Sequence, residues 1–233
     1  MTYKKRYDGR KEDETREIKV KIGIIPRADG SAEFSFGDTK AIAAVYGPRK
    51  LHPKHLENPE KGLLRCTYDL ASFSVDERKR PGLSRRSQEI SHVITKAFNS
   101  VVNLDAFPNT VVDVIIEVFQ ADASTRCAGI NAASIALAHA GVPMNDLISS
   151  VSMGKIGDSI VADLTKKEED YEEKGEKLAT DIPIAFSARE GKITLLQADG
   201  KVGIEDLKKA IEMAENTCKK ITEIQKKALK ELK

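Results

Sequence analysis

The 233-residue chain carries 38 Lys and Arg against 36 Asp and Glu, a net charge of +2, with 40% hydrophobic and 32% charged residues. That is an ordinary globular balance in a chain long enough to bury a core as one large domain or two small ones. No run reaches the length of a membrane span, and Met1-Thr2-Tyr3-Lys4-Lys5-Arg6 lacks the apolar stretch of a secretory signal, so a cytoplasmic protein without membrane partners is expected.

Residues 1–17 are polar and read as an irregular arm, with a turn at Asp8-Gly9-Arg10. Ile18 to Ile25, Ala32 to Phe36 and Thr39 to Tyr46 read as a meander of antiparallel strands, turning at Ala28-Asp29-Gly30-Ser31 and Gly37-Asp38. Gly47 to Lys61 is a basic loop broken by Pro48, Pro53 and Pro59. Leu63 to Leu70 is a further strand, and Ser72 to Gly82 a second basic loop. Between Gly47 and Arg86 ten basic residues stand against five acidic ones. Such a local excess on a near-neutral chain points to a polyanion partner, or else to a solvated face.

Ser84 is an N-cap for a helix to about Val102, with Ile90, Val93, Ile94, Ala97, Phe98 and Val101 on one face. Arg85 and Arg86 then fall in the first turn, where the helix dipole disfavours cations. Their placement suggests that this helix end faces bound anions.

Thr110 to Phe119 reads as a buried strand, and Cys127 to Ala140 as a tightly packed, Ala-rich helix stopped by Gly141 and Pro143. Ser124-Thr125-Arg126 therefore lies where a strand hands over to a helix N-terminus, a place that favours an anion. Hydroxyls and a guanidinium suit phosphate oxygens, although Ser124 as a plain N-cap fits the local pattern equally well. Hairpins follow at Ser149 to Lys155 with Ser159 to Leu164, and at Ile182 to Ala188 with Lys192 to Ala198. Thr165 to Thr180, densely charged and without apolar periodicity, reads as a loop. A last helix spans about Ile204 to Leu232. The order suggests an α/β unit of two β/α halves. Cys66, Cys127 and Cys218 read as core residues, and the four histidines form no ligand cluster, so no structural metal is expected.

These stretches carry a resemblance. Asp8-Gly9-Arg10, Gly37-Asp38-Thr39-Lys40-Ala41, Phe73 to Arg78, Ser84-Arg85-Arg86 through Ser91, Gln120 to Arg126 and Ala140 to Met144, in this order and spacing, are similar to the RNase PH family. The likeness is strongest to the catalytic RNase PH-type subunits of archaeal exosomes. It implies an RNase PH-type α/β fold of two related halves with mixed sheets and packed helices, in a single domain over residues 1–233. The implied activity is phosphorolytic 3′→5′ exoribonuclease, with inorganic phosphate as cosubstrate, a divalent cation such as Mg2+ and single-stranded RNA as substrate. The implied partners are a paralogous RNase PH-like subunit in a hexameric ring of three heterodimers and RNA-binding cap subunits. By motif, Ala123, Ser124, Thr125 and Arg126 would bind phosphate, and Arg85 and Arg86 the RNA end. Lys54, Lys61 and Arg65 would guide RNA. Asp170 and Asp181 would be catalytic, Asp181 with a metal role. Asp170 and Asp181 stand farther apart than in the family pattern, so extra residues loop out between them, and Asp163 is the rival to Asp170. A non-catalytic RNA-binding ring subunit and a stand-alone tRNA-trimming enzyme are the alternative readings. No GxxxxGK[ST] loop is present.

Overall fold

The meander forms the start of the first sheet in the computed structural model, which describes residues 6–173 and 176–232. Residues 1–5 of the expected arm and 174–175 of the acidic loop lie outside the described residues. Strands β1 (Ile18–Ile22), β2 (Gly30–Phe36) and β3 (Thr39–Lys50) pair antiparallel in sequence. All three lengths differ from the sequence reading, and β2 begins two residues early, at Gly30. β1 stops early because Gly23 turns the chain at φ 73°. β3 continues to Lys50 because β5 (Thr110–Gln120) offers it a partner as far as Thr110. A register shift between Tyr46 and Arg49 lets Pro48 sit in the strand without a ladder bond. On its other side β5 pairs in parallel with β4 (Leu63–Leu70). Parallel pairing needs a crossover, and α1 (Arg85–Asn99) supplies it, laying Ile90, Ile94, Ala97 and Phe98 toward β4. That helix ends before the expected Val102 because Val102 bridges Met144.

Helix α2 (Thr125–His139) runs between this sheet and a second one. The second sheet has the order β11-β10-β6-β7, with β6 (Ile148–Ile156), β7 (Ser159–Ala162), β10 (Ala179–Ser187) and β11 (Ile193–Leu196). Every residue of α2 from Cys127 to Leu137 is buried, as befits a helix covered on all sides. Its small side chains let the backbones come close. A Cβ on Gly30 would lie 2.4 Å from the Ala136 carbonyl oxygen and from the Ala140 nitrogen. Asn131 accepts from the Ser150 N–H at 3.0 Å and donates to its carbonyl at 2.8 Å, so the polar side chain buried in α2 is paired. Helix α4 (Ile204–Lys230) covers β6 and β7 with Ala210, Ala214, Cys218 and Ile221. Among the described residues no helix is long and apolar enough to cross a membrane.

The acidic stretch expected to be a loop holds structure of its own: a short helix α3 (Lys166–Glu169), strands β8 (Glu172–Glu173) and β9 (Glu176–Lys177), and the start of β10. Four helical residues are too few to show a period, but they carry a capping box. Thr165 accepts from the Glu168 N–H, and Glu168 accepts from the Thr165 N–H.

The arm has no regular secondary structure over residues 6–17, yet its arginines are fastened. Arg6 is buried and grips both oxygens of the buried Glu168 at 2.9 Å. Arg16 holds both oxygens of Asp163 at 2.7 and 2.8 Å, and Arg10 reaches Asp163 at 3.4 Å. Asp163 has no exposed surface. Burial alone would raise its carboxyl, but the hydrogen bonds and charges of Arg16 and Arg10 hold it below the ordinary value. A depressed folded value contributes stability that is whole above the ordinary carboxylate range near about 4 and is lost as pH falls toward the folded value. Asp163→Asn should therefore cost about 3–5 kcal/mol at neutral pH, the scale for breaking a buried pair. The gap to wild type should narrow on acidification. Thermal unfolding at a series of pH values checks this, and a gap independent of pH would show that charge is not what holds the arm.

Candidate active site

The β5–α2 junction forms a cradle of main-chain groups at a helix N-terminus. Ala123 and Ser124 both take left-handed backbone, at φ 55° and 53°, a conformation that costs a non-glycine residue on the order of 1–3 kcal/mol. Three fastenings hold it. The Thr39 hydroxyl lies 2.8–2.9 Å from the carbonyls of Asp122 and Ala123 and accepts from the Asp122 N–H at 3.1 Å. Arg16 binds the Asp122 carbonyl at 2.7 Å. The Ser124 hydroxyl donates to Asp163 at 2.8 Å. Ser124 thus occupies the N-cap position without capping by its side chain, because its hydroxyl donates to Asp163 instead. The first bond within α2 runs from the Ala128 N–H to the Ser124 carbonyl. The N–H groups of Thr125, Arg126 and Cys127 therefore have no acceptor within the helix. The Tyr68 phenol, pushed up to about 12 by burial, stays protonated and donates to Thr125 Oγ1 at 2.9 Å. That leaves the Thr125 hydroxyl, on the cleft wall, with its own proton to donate.

Facing the cradle across the cleft is Asp181 on β10. The cleft is lined by Arg86, Ala123 to Cys127, Ser152, Glu169, Asp181 and Pro183. It encloses about 30 Å³, roughly one water's share of liquid volume, so any larger ligand would occupy its open mouth. Burial raises the Asp181 carboxyl above the usual carboxylate value and Glu169 adds to the rise. The Ser152 hydroxyl bonded to Asp181, with Arg126 and Arg86, acts against it. Two hollows of about 490 and 690 Å³ lie elsewhere, along α4 and beside Asp146. Neither gathers the cleft's combination of carboxylates, arginines and a helix N-terminus.

The structure brings together Ala123, Ser124, Thr125, Arg126, Arg86 and Asp181. Arg85 is exposed at the start of α1, outside the lining, and Ser84 caps that helix by accepting from the Ser87 N–H at 3.0 Å. Asp170 ends α3 with its side chain outward, 53% exposed and paired with Lys166 at 2.8 Å. Its neighbour Glu169 is the member of that acidic run that faces Asp181. Asp163 lies beneath the cradle as its support. Lys54 and Lys61 both precede β4, whose first residue pairs with Val111 at the far end of the first sheet, and Arg65 is level with Asp113, which it binds at 2.6 Å together with Arg49. Seven strand positions separate Asp113 from Gln120, roughly 23 Å at the usual rise.

Two models of one family match in tandem: "3′ exoribonuclease family, domain 1" over residues 14–143 and "domain 2" over 146–217. The chain belongs to the 3′ exoribonuclease family. It is 50% identical over 227 residues to the exosome complex component Rrp41 of Pyrococcus furiosus, covering 97% of this chain and 88% of that one. It is 47% identical over 225 residues to that of Nitrosopumilus maritimus, covering 97% and 90%. Among solved structures, rice Rrp46 superposes with a TM-score of 0.86 at 26% identity, over 97% of this chain and 100% of that one. The Archaeoglobus fulgidus exosome with RNA bound to the active site gives 0.82 at 22%, over 95% and 92%, a likeness of fold. The two-half α/β architecture is thus the RNase PH fold, and the family's chemistry is 3′→5′ exoribonuclease action.

Sequence reading overlooked Glu169, Ser152, Tyr68 and Arg16 at this site. Arg16 and Ser152 carry no local signal, because their role comes from contacts with residues far along the chain. Glu169 had one, its place in the acidic run beside Asp170. Asp181→Asn should slow turnover on the order of a hundredfold, the scale for a lost general acid. Glu169→Gln should slow it more than Asp170→Asn, since Glu169 is the one in the cleft. Single-turnover decay of a short RNA distinguishes them, and the reverse ranking would place Asp170 in the cleft during catalysis.

Proposed function

We propose that the chain is the catalytic RNase PH-type subunit of an archaeal exosome, shortening single-stranded RNA from its 3′ end by phosphorolysis. The observation that carries this reading is the strapped anion cradle of Ala123 to Arg126 set opposite a carboxyl raised by burial. Inorganic phosphate sits against the α2 N–H groups, the Thr125 hydroxyl and Arg126. Arg86 and Arg85 hold the RNA end, so that two anions are brought together by fixed positive groups. A phosphate oxygen attacks the last phosphodiester phosphorus, and the bond to the 3′-oxygen breaks. That oxygen takes the Asp181 proton, and a nucleoside diphosphate leaves. Run backwards, Asp181 accepts the proton and the RNA gains a nucleotide. Glu169 keeps the Asp181 proton in place by its charge.

Among the described residues no three His, Cys, Asp or Glu side chains gather as a metal site. A divalent cation such as Mg2+ would draw on Asp181 only in its ionised form, as in the reverse direction, with phosphate and water oxygens as its other hard donors. The setting we propose is a hexameric ring with a paralogous subunit, with RNA-binding cap subunits, in the cytoplasm. Three free, buried cysteines accord with a reducing compartment.

Decay should require phosphate and yield nucleoside diphosphates, and excess diphosphate should extend the RNA. Chromatography of the products checks this, and release of monophosphates without phosphate would refute the reading. The activity should also fall as pH rises through the raised Asp181 value, because the proton donor is then lost.

The far basic group has a separate task. Lys54→Ala and Lys61→Ala should weaken binding of long RNA and lower its salt slope by about 0.7 for each phosphate no longer neutralised, while hardly affecting a short RNA confined to the cleft. Arg86→Ala should impair both. Equal losses on the short substrate would show that the two groups do not act separately.

A further inference from the structure

The phosphate cradle has a support from outside its own helix. Gln197 follows β11, with its N–H on the Pro183 carbonyl at 3.2 Å, so the sheet that carries Asp181 also anchors Gln197. Its side chain accepts from Arg126 Nη1 through Oε1 and donates to Glu89 of α1 at 3.1 Å through Nε2. The amide can point only one way. A guanidinium has no acceptor and a carboxylate no donor, so turning the amide over would set donor against donor and acceptor against acceptor. Arg126 Nε is buried without a hydrogen-bond partner, so the side chain of Gln197 satisfies only part of that guanidinium and leaves donor capacity for an anion.

We infer that Gln197 is a positioning residue for the cosubstrate: it aims Arg126 at the cradle while keeping Arg126 from pairing with a carboxylate. A neutral acceptor can hold a guanidinium without cancelling its charge, whereas a carboxylate in the same place would compete with phosphate. Glu89, one residue beyond, orients the amide without touching Arg126. The inference rests on the phosphorolytic reading above.

Steady-state phosphorolysis of a short RNA by the full chain with its ring partner separates the possibilities. Gln197→Met keeps the side chain's length and removes both hydrogen bonds. It should raise KM for phosphate about tenfold, leave KM for RNA within twofold and change kcat little at saturating phosphate. Gln197→Glu keeps the acceptor but brings a charge, and should raise KM for phosphate further still. Glu89→Leu, on the exposed surface of α1, frees the amide and should give about a threefold rise; being exposed, it keeps the test open should either Gln197 variant fail to fold. A residue that merely supports the fold would lower the melting temperature and kcat and leave KM for phosphate alone. Phosphate KM within twofold of wild type in the folded variants overturns the inference. Decay with no phosphate requirement in the wild-type chain would instead overturn the reading beneath it.

Discussion

Asp163 has no water to turn to. A carboxylate with no exposed surface has to be answered by charge and hydrogen bonds, and here the answers come from two distant parts of the chain: Arg16 and Arg10 of the arm and Ser124 of the cradle. Meeting that one requirement pins the irregular N-terminal arm to the exit of β7 and straps the β5–α2 turn to the same point. The two adjacent left-handed residues, Ala123 and Ser124, persist because Asp163, Thr39 and Arg16 over-determine them. The cradle's shape is thus borrowed from the joint between the two halves.

The cleft works by keeping opposite electrostatic tendencies on opposite walls. One wall offers the N-terminus of α2, Arg126 and Arg86. The other offers Asp181 and Glu169. Positive charge alone would lower the Asp181 carboxyl, and burial raises it. The rise from burial, reinforced by Glu169, exceeds the pull of the Ser152 hydroxyl and the arginines, so the carboxyl stays above its ordinary value beside positive groups. A neutral side chain beside Arg126 serves the same end, because Gln197 orients the guanidinium without consuming its charge.

Much of this was legible without coordinates. Alternation marked the meander, and the strand-to-helix passage around Ser124-Thr125-Arg126 marked the cradle, because the anion preference of a helix N-terminus is local. Ser84 was a readable cap for the same reason. The acidic stretch misled, since a four-residue helix is too short to leave a period and its capping box at Thr165 and Glu168 lies among many like charges.

Residue order alone was enough to mark most of the strands and helices, the succession of two halves of like order, and the place where an anion would be welcome. Those depend on periodicity, turn chemistry and caps, which act within a few residues. It took the folded chain to turn Glu169 into the cleft and Asp170 toward solvent, to set Asp163 under the cradle, and to join Arg126 to Glu89 through Gln197. Neighbouring residues on one turn of helix point in different directions, and what each one meets is set by chain that lies tens of residues away.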